Sequence, residues 1–430
     1  MVGIYNSKDL DKFLKKLATR SSGESAGQAV REMIEAVRSE GDAALNRYTQ
    51  KFDGIPKAYE VPKEQIEEAY RSTDKRFIRA LENARDNIYD FHIRQKRQGY
   101  VVAEREGIIL GYRILPLGKV GLYVPGGTAA YPSSVLMNAI PARIAGVDEI
   151  IMVTPPSRDG GANRDILAAC RICQIDRVFI AGGAQAVAAL AFGTETIPKV
   201  DKIIGPGNVY VATAKKYLFG EVDIDMIAGP SEILIIADEF ADPAFVTADM
   251  MSQAEHDPMS SSMLVTTSSE LARKVIFELK EQVERLERKG IILKSLKDYG
   301  AIIIAESLKE ACDISNLIAP EHLEIMTERP FELLGNIKNA GSVFLGSHTP
   351  EPLGDYYSGT NHVLPTNGTA RFFSCLGVDS FVKRSAFTYY SESALKECAE
   401  DIIEIANREG LSAHANSVSV RLKRGKACTD

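Results

Sequence analysis

The chain has 430 residues, with 51 basic and 58 acidic side chains and a formal net charge of −7. That length suits two or more domains, and the acidic balance gives no electrostatic reason to bind nucleic acid or an anionic membrane surface. No apolar run is long enough to cross a membrane, and we expect no signal peptide. Six cysteines are too few for a disulfide framework, so a reducing, cytoplasmic setting is expected.

The first part of the chain, to about residue 100, is predicted to be mostly helical, because charged and apolar residues recur there at helical spacing. From about residue 108 the pattern changes to short apolar runs, each followed by a turn rich in Gly or Pro and then by a helix. That alternation indicates βαβ units and a parallel sheet. The predicted strands of this group are residues 120–124, 149–153, 177–180 and 202–204.

A second α/β stretch follows. Strands are predicted at 233–237, 263–266, 302–305 and 342–345, and helices at 243–254 and 269–288. Residues 347–385 are rich in Gly, Pro, Thr, Ser and Tyr, and a loop-heavy stretch of that length in a compact chain is usually functional. A last helix is predicted at 393–407, with a short basic tail after it.

Two of the six histidines lie in segments that suggest metal or proton chemistry. Gln253 and His256 are three residues apart before Pro258, so on a helix they share a face and form half of a metal site. Glu321 beside His322 supplies the two groups of a proton relay. Taken alone, the first pair is more typical of a polar helix end and the second of a charged pair on the surface.

Two further histidines lie near the end of the chain. Asp355 offers a hard oxygen ligand, and His362, seven residues later, could bind a substrate carboxylate or hydroxyl. Glu409 and His414 flank Gly410, a typical helix-ending residue. Two imidazoles and a carboxylate suit zinc or a similar metal, provided that the fold brings distant segments together. The resulting four-ligand set is Gln253, His256, Asp355 and His414.

No G-x-G-x-x-G dinucleotide fingerprint is present. The turns at 182–185 and 205–208 each follow a strand and open a helix, so they could hold a phosphate or be plain tight turns. Cys170 and Cys173 form a CxxC inside an apolar helical pattern and are predicted to be core residues. We predict that His92 lies on a helix surface and that His348 lies in a loop.

Five segments in order along the chain resemble histidinol dehydrogenase. They are DMIAGPSEIL (225–234), SQAEHD (252–257), APEHLE (319–324), GDY to NHVLPT (354–366) and EGLSAH (409–414). The likeness extends from about residue 20 to residue 423. It implies an NAD-linked, zinc-dependent enzyme that oxidises L-histidinol to L-histidinaldehyde and then to L-histidine, with two NAD, at the end of histidine biosynthesis. It also implies an intertwined homodimer with shared active sites.

The resemblance also implies roles for individual residues. Zinc ligands that also contact the substrate would be Gln253, His256, Asp355 and His414. The acid/base pair would be Glu321 and His322, and His322 would touch the substrate. Further substrate contacts would be Ser231, His362 and Glu409. The NAD site would include Tyr123, Gln185 and Asn208. Glu409 and His414 are expected to serve the neighbouring subunit's active site.

In the expected mechanism, His322 takes the hydroxyl proton during the first oxidation, and Glu321 activates the water that adds to the aldehyde. One alternative is a relative that oxidises another small polar alcohol, such as a sulfonated diol, although His362 and Glu409 favour histidinol. A zinc hydrolase would use Glu321 to activate water and would form no NADH. A third alternative is a dimer that is held together by a metal ion and has no catalytic activity. It would leave the Glu-His pair without a function.

The expected fold class is α/β, with two Rossmann-like parallel-sheet domains, a helical N-terminal region and an extended C-terminal tail. The predicted N-terminal helical segment is 1–20. The first α/β domain is discontinuous and comprises 21–122 with 233–375. The second comprises 123–232, and the tail, 376–430, is expected to reach the partner subunit.

Overall fold

The computed structural model describes residues 2–6, 10–18, 20, 26–126 and 130–424. It forms two compact units. The first unit comprises Met1–Lys96 and Leu117–Phe381, and the second comprises Arg97–Pro116 and Val382–Asp430.

Strands and helices alternate through most of the first unit. The described strands are β1 (Gly3–Asn6), β2 (Tyr59–Glu60), β3 (Tyr100–Val102), β4 (Ile108–Pro116), β5 (Lys119–Tyr123), β6 (Glu149–Thr154), β7 (Arg177–Ile180), β8 (Lys202–Ile204), β9 (Asp223–Ile224), β10 (Glu232–Ala237), β11 (Ser261–Thr266), β12 (Ala301–Ile304), β13 (His322–Met326), β14 (Ser342–Leu345) and β15 (Val382–Tyr390). The described helices are α1 (Leu10–Ala18), α2 (Gly27–Glu40), α3 (Asp42–Tyr48), α4 (Lys63–Ser72), α5 (Lys75–His92), α6 (Pro132–Ala145), α7 (Arg164–Ile172), α8 (Gly183–Phe192), α9 (Val209–Leu218), α10 (Pro243–Ala254), α11 (Ser269–Gln282), α12 (Lys289–Tyr299), α13 (Leu308–Ile318), α14 (Pro330–Leu334), α15 (Glu351–Tyr356), α16 (Glu392–Arg408) and α17 (Ser412–Arg424).

One six-stranded parallel sheet, which we call sheet A, has the order β1-β12-β11-β10-β13-β14. Its central strands are buried on both faces, which explains why β10 is a nearly continuous apolar run. Helices α10, α11 and α12 cover one face, while α1, α13 and α14 cover the other. Sheet A is therefore doubly wound.

The second six-stranded sheet, sheet B, has the order β2-β7-β6-β5-β8-β9. All of its pairs are parallel except β2 with β7. Helices α2, α8 and α9 cover one face, and α4 to α7 cover the other. Two parallel sheets flanked by helices confirm the predicted α/β fold class.

Helices of the N-terminal region pack on sheet B. They are α2, α4 and α5, and β2 pairs with β7 of the same sheet. The reason is the apolar stripe of each helix, such as Val30, Ile34 and Val37 in α2, which is buried against α8. The chain start also contains a strand, β1, which the predicted helical segment 1–20 did not include. The predicted domain limits stay a prediction.

The second unit contains an antiparallel sheet of order β15-β4-β3 and the neighbouring helices α16 and α17. Gly410 follows α16 with a φ of +76°, which confirms the predicted helix end. The stretch predicted to be irregular up to residue 385 instead becomes strand from Val382. The predicted basic tail forms α17 as far as Arg424.

Two predictions about buried side chains had opposite outcomes. Cys170 and Cys173 lie in the core, as predicted, and the Cys170 thiol is 3.5 Å from the Met152 sulfur. The prediction that His92 is a surface residue is wrong, because His92 lies four residues after Ile88 on the buried stripe of α5. His348 lies in a turn after β14 and is exposed. No helix in the described ranges has the length and apolar character needed to span a membrane.

Candidate functional site

The Glu321–His322 pair lies at the edge of sheet A where its strands begin. His322 is the first residue of β13 and is paired in register with Ile233 of the adjacent β10. Ser231 immediately precedes β10, so it is at the same edge. Strand β13 was not among the strands predicted from the sequence.

Glu321 is buried, and its Oε2 accepts a hydrogen bond from the backbone N–H of Glu232 at 2.9 Å. Burial raises the pKa of Glu321 to about 7, although the neighbouring His322 opposes this change. A carboxyl group with such a pKa exists in both protonation states near neutral pH. It can therefore accept or deliver a proton.

The His322 ring is oriented by the same strand. Its Nδ1 donates to the Glu232 carbonyl oxygen at 3.1 Å, which leaves Nε2 as the other ring nitrogen of the neutral form. Nε2 is 3.7 Å from Asp355 Oδ1 and 4.0 Å from Glu351 Oε1. Burial lowers the pKa of His322, but the surrounding carboxylates outweigh that effect and raise the pKa to about 10.

Next to this pair is a set of groups that could hold a cation. Ligand atoms of His256, Glu351 and Asp355 all lie within 4.8 Å of one another. Gln253, on α10, is buried, and neither atom of its amide has a hydrogen-bond partner among the described residues. Burial lowers the pKa of His256, which favours the neutral imidazole that a metal requires. The unpartnered amide and the mixed N/O donor set fit a zinc-type ion.

Glu351 is a site residue that the sequence analysis missed. It begins α15 and is four residues before Asp355, so the two carboxylates lie on one helix face. Burial, followed by the Asp355 carboxylate, raises the pKa of Glu351 to about 8. Burial alone would raise the pKa of Asp355, but the neighbouring His322 and His362 hold it well below the usual range. The four-residue spacing of Glu351 and Asp355 was the feature of the sequence that could have identified Glu351 as a site residue.

His362 lies beside the same cluster. Its Nδ1 donates to the Asp355 carbonyl oxygen at 3.0 Å, and its Nε2 is 3.3 Å from the Ser134 hydroxyl on α6. The structure thus places His362 beside Asp355, close to His322. Ser134 was not predicted, and nothing in the local sequence marks it.

Glu409 and His414 belong to the second unit. Glu409 is the C-cap residue that follows α16, His414 lies in the first turn of α17, and both side chains are exposed. The cluster described above is built entirely from residues of the first unit.

The three residues expected to bind NAD all lie near the carboxyl ends of strands in sheet B. Tyr123 ends β5, and its hydroxyl oxygen accepts the N–H of Gly183 at 3.0 Å. Gln185 lies in the first turn of α8 and donates through Nε2 to Asp53 Oδ2 at 3.2 Å. The same oxygen of Asp53 accepts the N–H of Gly182 at 3.0 Å. A carboxylate of the chain itself therefore occupies the start of α8.

Asn208 has a similar role at the start of α9. Its Oδ1 accepts the N–H groups of Tyr210 at 3.0 Å and Val211 at 3.2 Å. Gly205 has a φ of +108°, and a Cβ there would be 2.1 Å from the Tyr123 carbonyl oxygen. Among the amide donors at the two turns, the N–H groups of Gly182, Tyr210 and Val211 are thus already bonded to Asp53 and Asn208.

Comparisons with known proteins agree over nearly the whole chain. The family profile described as histidinol dehydrogenase matches residues 17–422. A histidinol dehydrogenase of Clostridium acetobutylicum is 56% identical over 420 residues, which are 97% of each chain. One from Caldanaerobacter subterraneus is 55% identical over 425 residues, 98% of this chain and 96% of that protein.

Solved structures give the same result. The crystal structure of histidinol dehydrogenase from Elizabethkingia anophelis is 39% identical, covers 99% of both chains and superposes with a TM-score of 0.92. A lactaldehyde dehydrogenase structure has 10% identity and a TM-score of 0.51 over 86% of this chain, so that likeness concerns the fold alone. The match at high identity includes both sheets and the segments that form the buried Glu-His cluster, and on these grounds the chain belongs to the histidinol dehydrogenase family of oxidoreductases.

Proposed function

We propose that this protein catalyses the four-electron oxidation of L-histidinol through L-histidinaldehyde to L-histidine, the last steps of histidine biosynthesis. Relatives at 56% and 55% identity carry the name histidinol dehydrogenase. The observation that carries the proposal is the contact of the buried Glu321–His322 pair with the donor set of His256 and Asp355. A dehydrogenase of this kind needs a proton acceptor next to the carbon that loses hydride, and the pair supplies one.

We propose Gln253, His256 and Asp355 as ligands of a zinc ion, with His414 completing the set from the partner subunit. Glu351 lies close enough to join or support them. When bound, the ion would orient the substrate and stabilise negative charge developing on oxygen. The unpartnered amide of Gln253 supports this assignment, since a buried amide without a partner is costly unless a ligand satisfies it.

The acid–base roles follow from the hydrogen bonds. Because Nδ1 of His322 donates to the Glu232 carbonyl, Nε2 is the nitrogen available to accept the hydroxyl proton of the substrate. Glu321 is the first of the carboxylates that raise the His322 pKa. The others, Asp355 and Glu351, lie on the cation side, so a bound cation would lower that pKa towards the range of a base. Glu321 would then take a proton from the water that adds to the aldehyde carbon. Its pKa of about 7 suits that task.

We propose Ser231, His362 and Glu409 as substrate contacts, together with the ligands and His322. His362 can offer Nε2 to a substrate oxygen in place of the Ser134 hydroxyl, which lies at 3.3 Å. Glu409 and His414 are exposed on the second unit, as residues donated to a partner subunit's site must be. We therefore propose a homodimer with shared active sites, located in the cytoplasm.

NAD is the proposed oxidant, and each of two NAD molecules, bound in turn, would supply the acceptor for one hydride. We propose Tyr123, Gln185 and Asn208 as its contacts, since they lie together near the carboxyl edge of sheet B, where parallel sheets usually bind ligands. Asp53 holds the Gln185 amide in place. Because Asp53 and Asn208 already accept three of the N–H groups at these helix ends, the dinucleotide is expected to bind without a phosphate at the start of α8 or α9.

The decisive experiment measures NADH absorbance with histidinol and NAD. We expect two NADH for each histidinol consumed, loss of activity with a chelator and recovery with zinc. Oxidation of a sulfonated diol but not of histidinol would contradict the substrate, and product formation without NADH would indicate a hydrolase. Light scattering of the purified protein should give the mass of a dimer.

A further inference from the structure

A second pair of acidic side chains lies behind the proposed cation site. Glu324 is two residues after His322 on β13 and is 1% exposed. Asp249 is four residues before Gln253 on α10 and is 7% exposed. In a strand, residues two apart point to the same face, so Glu324 faces the helix α10 that covers this side of sheet A. Neither residue has a role in the function proposed above.

The hydrogen bonds of Glu324 connect three elements. Its Oε1 accepts the backbone N–H of Glu351, the first residue of α15, at 2.8 Å. Its carboxyl group also faces that of Asp249 on α10, close enough for the two groups to interact. Glu324 itself belongs to the strand that begins with His322. A single side chain therefore hydrogen bonds to α15 and meets α10, the two helices that carry proposed cation ligands, from the strand that carries the acid–base pair.

A hydrogen bond between the two carboxyl groups requires a proton on one of them. Carboxylate oxygens only accept hydrogen bonds, and Glu324 Oε2 is buried with no donor partner among the described groups. If one of the two groups is protonated, its O–H donates to the other and the unpartnered oxygen is satisfied. Burial acts in the same direction, because it raises the pKa of Asp249 to about 6 and that of Glu324 well above its usual value.

A further hydrogen bond joins the two helices α10 and α15. The Ser252 hydroxyl on α10 lies 3.1 Å from Glu351 Oε2, so α10 and α15 are also linked directly. Glu324 differs from Ser252 in being anchored to the sheet. Removal of the Glu324 carboxyl group would leave the N–H of Glu351 unbonded. It would also remove the contacts that this side chain of β13 makes with α10 and α15.

We propose that Glu324 is a positioning residue: by capping α15 at Glu351 and meeting the buried Asp249 on α10, it fixes the separation of Gln253 and His256 from Asp355. This inference rests on the proposed cation site. It predicts that hydrogen bonding by Glu324, and not its charge, sets the affinity for a divalent cation.

The test compares Glu324→Gln with Glu324→Leu, using cobalt binding followed by its visible absorption. Gln can accept from Glu351 and donate to Asp249, so we expect cobalt affinity within about twofold of the native protein and an unchanged spectrum. Leu has a similar size but no polar group. For it we expect an affinity at least about tenfold lower and a shifted spectrum, as for other groups that orient metal ligands.

The double variant Glu324→Leu/Asp249→Leu guards against misfolding, because replacing both buried partners with apolar groups avoids an unpaired carboxyl. It should fold and still show the loss of cobalt affinity. Thr247→Val is the matched control: Thr247 is buried on α10 and bonds to the Val275 carbonyl, away from Glu324. This control should bind cobalt like the native protein even if its stability falls.

Two results would overturn the inference while leaving the proposed function intact. One is native-like cobalt binding by Glu324→Leu or by the double variant. The other is a loss in Glu324→Gln as large as that in Glu324→Leu. Failure of the native protein to bind cobalt at all would contradict the proposed function and this inference with it.

Discussion

Replacing Glu321 with Gln should affect the oxidation of the aldehyde much more than the oxidation of the alcohol. Gln retains the size of the side chain and can still accept the N–H of Glu232, so the start of β13 should keep its geometry. It cannot accept a proton. In the proposed mechanism Glu321 activates the water that adds to the aldehyde, whereas His322 takes the proton of the alcohol. The variant should therefore lose the second oxidation and largely keep the first.

The expected loss can be worked out from the role of the group. A positioned general base contributes about 10²–10⁴-fold, which corresponds to about 2.7–5.4 kcal/mol in the barrier. With a pKa of about 7, Glu321 would be about one tenth ionised at pH 6 and about nine tenths ionised at pH 8. The ionised form is active, so aldehyde oxidation should rise with pH up to this pKa. A bound cation would only lower the inflection.

The assay follows NADH by stopped flow in single turnovers, started either from histidinol or from histidinaldehyde. We expect Glu321→Gln to slow aldehyde oxidation by about 10²–10⁴-fold, to slow alcohol oxidation by less than about tenfold and to lose the pH inflection. Glu328→Gln is the control, since Glu328 is exposed beyond the other end of β13. An equal loss in both oxidations, or an inflection that persists in the variant, would refute the assigned role.

Three further predictions concern other parts of the site. His256→Ala should lower zinc affinity by at least about 100-fold, measured by dialysis and metal analysis, because it removes a proposed ligand. Arg20→Met should cost about 3–5 kcal/mol in urea unfolding, because it leaves the buried Glu232 carboxylate without its ion-pair partner. Without Arg20 the folded-state pKa of Glu232 is raised further, so this deficit should shrink as the pH falls. Asp53→Ala should raise the KM for NAD by about 10–100-fold at constant kcat, because Gln185 loses a charged acceptor.

Each of these has a matched control and a contrary result. His348→Ala changes an exposed histidine and should bind zinc normally; unchanged zinc affinity in His256→Ala would remove that residue from the ligand set. Arg38→Met changes an exposed arginine and should cost less than about 0.5 kcal/mol, and an equally small cost at Arg20 would contradict the ion-pair argument. Asp159→Ala should leave the KM for NAD unchanged. A fall in kcat alone for Asp53→Ala would argue against its proposed role.

The strands of the two sheets were largely predictable from the sequence. Residues 177–180 and 202–204 were placed with the observed bounds, because short apolar runs between Gly- or Pro-rich turns are typical of buried parallel strands. Strand β1 was missed because its four residues acquire a strand conformation only by pairing with β12. Most residues of β15 are exposed on both faces, so no apolar alternation marked it.

Within the site, the sequence identified groups that carry obvious chemistry but not those that depend on burial. Glu321, His322, His256, Asp355 and His362 were chosen from short motifs, and the structure brings them together. The burial of a lone carboxylate depends on tertiary packing, so Glu324 and Asp249 resembled ordinary surface acids. The same limit explains the error at His92, where helical spacing alone does not show which face is covered.

The proposed cation ligands lie at the edge where the strands of sheet A begin, and the proposed NAD contacts lie at the edge where the strands of sheet B end. This difference has an electrostatic consequence. Helix α10 ends just before His256, so the negative pole of its macrodipole points towards the proposed cation ligands. At the carboxyl edge of sheet B, α8 and α9 instead present positive poles, and the Asp53 carboxylate and the Asn208 amide already meet them. The backbone thus adds a field that attracts a metal ion at one edge, while at the other edge the protein screens the field that would draw in free phosphate.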